Sequence, residues 1–294
     1  MPAVGQIDSR YCDVKLSSLS RSTRIRFLSN VGFYPRGTVN EKDGFYHIDD
    51  QIGFIAVHTD EKRTHDYWSE LTFFAFEEIR FLSAILLSMR PDHGVLHIYP
   101  GPAYVVPPIS SPDDIHARVR SIAADLGERL ALPSGGGRSY EFSQQQIDAT
   151  LYEKLAAQIP ICDELMLRGL SAILKADMLQ TRREFGEEAI SLLYVAMEVA
   201  FQLTLRILRE EGISSPTALD AGDFLYRTFP HEIPGIRFFE DYYDDRIKTL
   251  HPKSRFGTFA FPPVLASDSY GLRGGLISMY QYLITREQWY TLWD

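Results

Sequence analysis

The run Ala189 to Leu208 constrains this chain most. It is twenty residues of mostly apolar sequence, long enough to span a bilayer, but it carries Glu198, Gln202 and Arg206. Charged and amide side chains at that spacing predict a buried helix of a soluble protein, against which other helices must pack. The start MPAVGQIDSRYCDVKLSS has neither the basic region nor the apolar core of a signal peptide. No membrane association is therefore expected, and Cys12 and Cys162, far apart and without metal-knuckle or disulfide-framework spacing, fit a reducing, cytoplasmic compartment.

The helical texture extends on both sides of that run. Ser143 to Ile159, Cys162 to Met178, Arg183 to Glu211, Pro216 to Thr228, Arg237 to Leu250 and Ser267 to Trp289 each show apolar residues at helical spacing, with no strand-like alternation between them. Upstream the texture differs. IRFLSNVGFYP, DGFYHI, QIGFIAVHT and GVLHIYPGPAYVVPP read as strands with turns at Asp43-Gly44 and Pro91 to Gly94. Two helices interrupt them: one from Leu71 through Leu87 with Ser69 as a cap, and one over Ser111 to Leu132 with a serine cap and a first-turn proline. Pro133-Ser-Gly-Gly-Gly137 reads as a linker. The expectation is an α+β chain: a mixed α/β domain over 1–138 and an all-α bundle over 139–294. At 294 residues with 45% hydrophobic content, two cores are within reach.

The formal net charge of −9 excludes a protein that coats nucleic acid through a global positive field, so any polyanion contact must come from a local cluster. One such cluster follows a helix end. In Phe238 to Pro252, Phe239, Tyr242, Tyr243, Arg246, Ile247 and Leu250 lie on or beside one helical stripe. His251 would sit about 140° around from Arg246 on a continuous helix. Pro252 disfavours helix at the residue before it, which frees His251 to turn back toward Arg246. Arginine offers fork-shaped donors for phosphate oxygens, and histidine at a helix C-terminus moves protons; together they suit phosphodiester cleavage without a metal. The plainer alternative is a surface arginine with a histidine at the helix end. Lys253 and Arg255 extend the basic cluster toward an RNA backbone, or complement the helix end and Asp241, Asp244 and Asp245. Glu198 is a supporting candidate, either pairing with Arg246 or His251 or facing solvent at the edge of its helix.

The Arg-x-x-x-x-His spacing at the end of a helix, with GEEAISLLYVAMEVAFQLTL preceding it, resembles the HEPN superfamily over roughly residues 145 to 290. The resemblance implies a helical bundle that dimerises and a metal-independent endoribonuclease, in a bacterial-type defence or toxin context. It assigns Arg246 to phosphate stabilisation and His251 to acid–base catalysis or phosphate positioning, with RNA as partner and no cofactor. Residues 1–140 take no part in it. Ile247 stands where nuclease members commonly carry a polar residue, and this favours a second reading: a noncatalytic binding or regulatory module with a protein or nucleotide partner.

Other signals are weaker. His93 and His97 are spaced on one face of a strand about 13 Å apart, too far to share a metal. Thr64-His65-Asp66 lacks a nucleophile signature. Gly271 to Gly275 lacks the Lys-Ser/Thr of a phosphate loop and is read as a helix-packing surface.

Overall fold

The computed structural model describes residues 21–29, 37–41, 44–48, 53–60, 75–89, 99–126, 148–180, 183–229, 238–239 and 266–290. Among them are five strands, β1 (Arg21–Ser29), β2 (Gly37–Glu41), β3 (Gly44–Ile48), β4 (Gly53–Asp60) and β5 (Tyr99–Val106). They form one antiparallel sheet in the order β2-β3-β4-β1-β5. Pro100 and Pro102, which lack an N–H, lie in edge strand β5, where a missing donor costs no ladder bond on the open side.

The side-chain period of two gives this sheet two buried faces. Ile25 and Phe27 of β1, Phe45 of β3 and Phe54 and Ala56 of β4 share one face. Helix α2 (Pro112–Leu126) covers it with Ile115, Val119 and Ile122, an i, i+4, i+7 stripe. Leu28, Tyr46, Ile55 and Val57 share the other face and meet α1 (Phe76–Leu87). Because both faces are covered, the strands read as apolar runs more than as clean alternation.

Helix α1 is also held by charge. Glu78 accepts from Arg24 Nε (3.0 Å), from Arg26 Nε (3.1 Å) and NH2 (3.0 Å), and from the Ala75 backbone N–H (2.9 Å) at the helix start. Four donors on one buried carboxylate satisfy its lone pairs, which is the condition for a buried charge to be tolerated.

The far side of α1 enters the helical half: α3 (Ala149–Gln158), α4 (Glu164–Gln180), α5 (Gly186–Glu210, after a 3-10 turn at Arg183–Phe185), α6 (Ala218–Thr228) and α7 (Ala266–Thr285). α5 packs on α4, α6 and α7, while α1 touches α3, α4 and α7. A single hydrophobic cluster runs from Ile55 and Val57 of the sheet through α1 to Leu203 of α5 and Leu276 of α7. The expected linker falls within 127–147, outside the described residues. Polar bonds cross as well: the Gln281 side-chain amide donates to the Leu87 carbonyl (2.6 Å) and the Asp148 N–H to the Ser88 carbonyl (3.2 Å).

Helix ends follow their caps. The Asp148 side chain accepts from Leu151 N–H, Asp163 from Met166 N–H, and Thr217 from Asp220 N–H. Ser111 caps α2, with Pro112 as its first residue, as the sequence predicts. Helix α7 stops at Thr285, four residues short of the predicted Trp289, because Arg286 takes the left-handed conformation (φ 58°). Two expectations change. The Gly271–Gly275 stretch lies inside α7, but a methyl at Gly274 would meet nothing within 4 Å, so at that position close packing is not the reason for glycine. Cys162, ahead of α4, is disulfide-bonded, its partner lying outside the described residues, so cysteine usage no longer argues for a reducing compartment.

Candidate functional site

Helix α5 is long and apolar enough to cross a membrane on length and composition, yet 61% of its most apolar window is buried, as in a core helix. Its less buried stripe runs through Val195, Glu198, Phe201, Gln202 and Arg206, at the three- to four-residue spacing of one helix side. The three polar residues that break the apolar run therefore share the same side. Glu198 is half-buried there and accepts a long hydrogen bond from Gln202 Nε2 (3.4 Å). Arg206 pairs with Asp163 at the start of α4.

Arg246, His251, Lys253 and Arg255 lie outside the described residues, as do His93, His97 and Thr64 to Asp66. The structure does fix the start of the segment that leads to Arg246. Phe238 and Phe239 are buried, and the Phe239 ring meets Phe201 edge-on at 5.1 Å. Phe201 is one turn from Glu198, so Phe239, seven residues before Arg246, packs beside the polar stripe of α5.

A second constellation escaped the sequence reading. On the sheet face under α2, a cleft of about 400 Å³ opens between the strands and the loop that enters the helix. Phe45, Ala56, Ile109 and Ile115 form its apolar walls; Asn40, His58, Ser110 and Ser111 supply its polar groups. Register explains the gathering: Phe45 pairs with Ala56 and Asn40 with Phe45, while His58 lies two residues from Ala56 and faces the same side.

His58 is positioned from behind. Thr23, its register partner on β1, accepts from the Ile109 N–H (3.0 Å) and places its hydroxyl 3.3 Å from His58 Nδ1. In the neutral tautomer that accepts the Thr23 proton, His58 carries its own N–H at Nε2. Elsewhere on the same sheet face, His47 bonds Thr38 (2.8 Å) and meets His116 of α2 edge-on with ring centroids 4.5 Å apart, both rings packing on Phe45 and Phe54. Among the described residues no three His, Cys, Asp or Glu side chains group as a metal site.

These residues come from four separated segments with no motif spacing, and Ser111 was legible only as a cap. The readable signal was the set of polar positions on an otherwise apolar strand face: Thr23 opposite His58. Comparison of the chain with protein-family models, with curated proteins and with solved structures returns no match.

Proposed function

We propose that the helical half acts as a HEPN-type, metal-independent endoribonuclease, with Arg246 and His251 as its chemistry. The observation that supports this reading is the packing of Phe239, seven residues before Arg246, on Phe201, one turn from Glu198 on the central helix. In the proposed reaction the 2′-hydroxyl attacks the adjacent phosphorus and loses its proton, the bond from phosphorus to the 5′-oxygen breaks, and that oxygen takes a proton. His251 moves a proton at one of these oxygens, and Arg246 stabilises the charge that develops on the non-bridging oxygens. The products are a cyclic phosphate and a 5′-hydroxyl, and DNA, lacking the nucleophile, is not cut. Lys253 and Arg255 would hold the backbone, two protomers would bring their motifs together, and the N-terminal half would recognise the substrate or a regulatory protein.

The test is purified protein with labelled RNA in excess chelator, beside His251→Ala and Arg246→Ala of matched thermal stability. Cleavage by the unmodified chain alone, leaving cyclic ends, is the expected result; cleavage unchanged in both variants would remove these residues from the chemistry.

A noncatalytic module is the second reading. Besides Ile247, it draws on α6, where Leu219 and Tyr226, seven residues apart on one stripe, are 59% and 54% exposed, with Ile213 nearby at 36%. No cleavage of any RNA, with a protein partner captured through Leu219 and Tyr226, is its expected outcome.

A further inference from the structure

We propose that the disulfide of Cys162 is a redox latch: closed, it ties the N-terminal segment of the chain to the start of α4, and a dithiol reductant opens it and loosens that helix start. The proposal goes beyond the ribonuclease reading and stands whether or not Arg246 and His251 cut RNA.

Connectivity comes first. Cys162 is disulfide-bonded, and the chain has two cysteines, so its partner is Cys12, which lies outside the described residues. The bond closes a loop that contains all five strands and α1 to α3. A cross-link stabilises chiefly by restricting the unfolded chain, and more so as the loop lengthens. This one joins residues from before the sheet to the helical half, and the sequence holds no further cysteine to replace it.

Position comes second. Cys162 is half-buried in the turn between α3 and α4, not sealed in the core. The next residue, Asp163, holds three contacts. Its side chain accepts from the Met166 N–H (3.1 Å), its carbonyl accepts from the Leu167 N–H (3.0 Å), and its carboxylate pairs with Arg206 of α5. Whatever fixes Cys162 therefore fixes the cap of α4 and a polar joint between α4 and α5. The Arg206 and Asp163 side chains are 42% and 20% exposed, so these contacts open at lower cost than the core beneath them.

Chemistry comes third. One thiolate of the dithiol attacks a sulfur of the Cys12–Cys162 bond, the other sulfur leaves as a thiolate, and the second thiol of the reductant resolves the mixed disulfide. The reductant ends as an intramolecular disulfide; Cys12 and Cys162 end as two thiols, having gained two electrons and two protons. Attack needs an accessible sulfur, which a half-buried turn residue offers and a core residue does not. With the bond open, Cys12 no longer restrains the α3–α4 turn, and the first turn of α4 frays. Leu170 and Ile173 remain in the core, so the rest of the helix holds.

The test uses the full chain purified without reductant. Peptide mapping should recover a linked Cys12–Cys162 peptide, and excess dithiothreitol, without denaturant, should cleave it. Exchange of the Met166 and Leu167 amides, followed by NMR, should then become about tenfold faster, with a lower melting temperature, and both should revert on reoxidation. Cys12→Ser separates the latch from a local effect of the Cys162 thiol. It should exchange at the reduced rate with or without dithiothreitol, although the substitution is far from α4 in sequence. The proposal is overturned if the purified chain carries two free thiols, if the disulfide joins two chains, if it opens only in denaturant, or if neither reduction nor Cys12→Ser changes exchange at Met166 and Leu167.

Discussion

Arg273 of α7 donates to Asp177 of α4 through two parallel hydrogen bonds, Nε to Oδ1 and NH2 to Oδ2, both 2.7 Å long, and both side chains are buried. The pair fixes the two helices in one rotation and register because a bidentate fork tolerates little displacement. Removing one partner strands a buried charge. Arg273→Met alone is expected to cost about 3–5 kcal/mol in denaturant unfolding, whereas Arg273→Met with Asp177→Leu is expected to cost much less than the two single changes summed. Additive costs would show that the pair is not coupled.

Where α4 packs on α5 beneath the Tyr280 side chain of α7, glycine has a steric cause. A methyl on Gly169 would lie 1.8 Å from the Tyr280 hydroxyl oxygen and 2.8 Å from Val199 Cγ1. The Tyr280 hydroxyl, fully buried, donates to the Ala196 carbonyl at 2.9 Å, and burial holds its pKa well above the ordinary phenol range. Gly169→Ala gains about 1 kcal/mol of helix propensity, but overpacking costs about 1–3 kcal/mol and displaces the buried hydroxyl from its acceptor. A lower melting temperature for Gly169→Ala is therefore expected. Tyr280→Phe in the same chain should recover only part of it, since the ring carbon beneath the hydroxyl would still lie 2.7 Å from the new methyl.

These two contacts show where sequence reasoning stops. Helix existence was legible because α2 through α7 carry apolar residues at helical spacing; Ser111 was legible as a cap, whereas Asp148, Asp163 and Thr217 emerge as caps only in the structure. Strands β1, β3, β4 and β5 were legible from β-branched and aromatic runs, whereas β2 (Gly37–Glu41), short and largely polar, was not. Partner choice was not: Asp177 and Arg273 are 96 residues apart, and nothing local marks either as buried. Arg273 sat in a glycine-rich stretch that reads as a packing surface, and Glu78 sat in a first turn where acids are ordinary. The cleft failed for the same reason, since Asn40, His58 and Ser110 meet only once the register is known. The Arg246 and His251 pairing rests on sequence, and the structure adds only the anchor at Phe239.

Because α1 lies between the sheet and the helices, the two halves should unfold together. Glu78 ties α1 to the sheet, and Gln281 ties it to α7. Glu78→Gln removes the charge that neutralises buried Arg26, a loss of about 3 kcal/mol or more. The expected calorimetric result is one transition in the full chain, shifted down as a unit by Glu78→Gln. Two transitions, with only the earlier one shifted, would mean that α1 does not couple the halves.

Asp220 caps α6 by accepting from the Thr217 backbone N–H (2.7 Å) and hydroxyl (2.7 Å), and these bonds hold its pKa below 3.8. The capping contribution is therefore complete above pH 3.8 and is lost as the pH falls through the lower folded value. A carbon-detected titration of the Asp220 carboxyl should show a midpoint below 3.8, and Thr217→Ala should move it upward.

Lys175 of α4 has the opposite sign. Burial first, and the neighbouring Arg168 second, lower its pKa from 10.5. The unfolded chain therefore keeps a proton that the native chain has released once the pH exceeds the folded value. Stability must rise with pH from there up to about 10.5, and below that window the full unfavourable contribution is present. Lys175→Met keeps the apolar stem and removes both the desolvated charge and its repulsion from Arg168. It is expected to raise the melting temperature at neutral pH and to flatten the alkaline rise. An unchanged alkaline slope in Lys175→Met would assign that rise to another group.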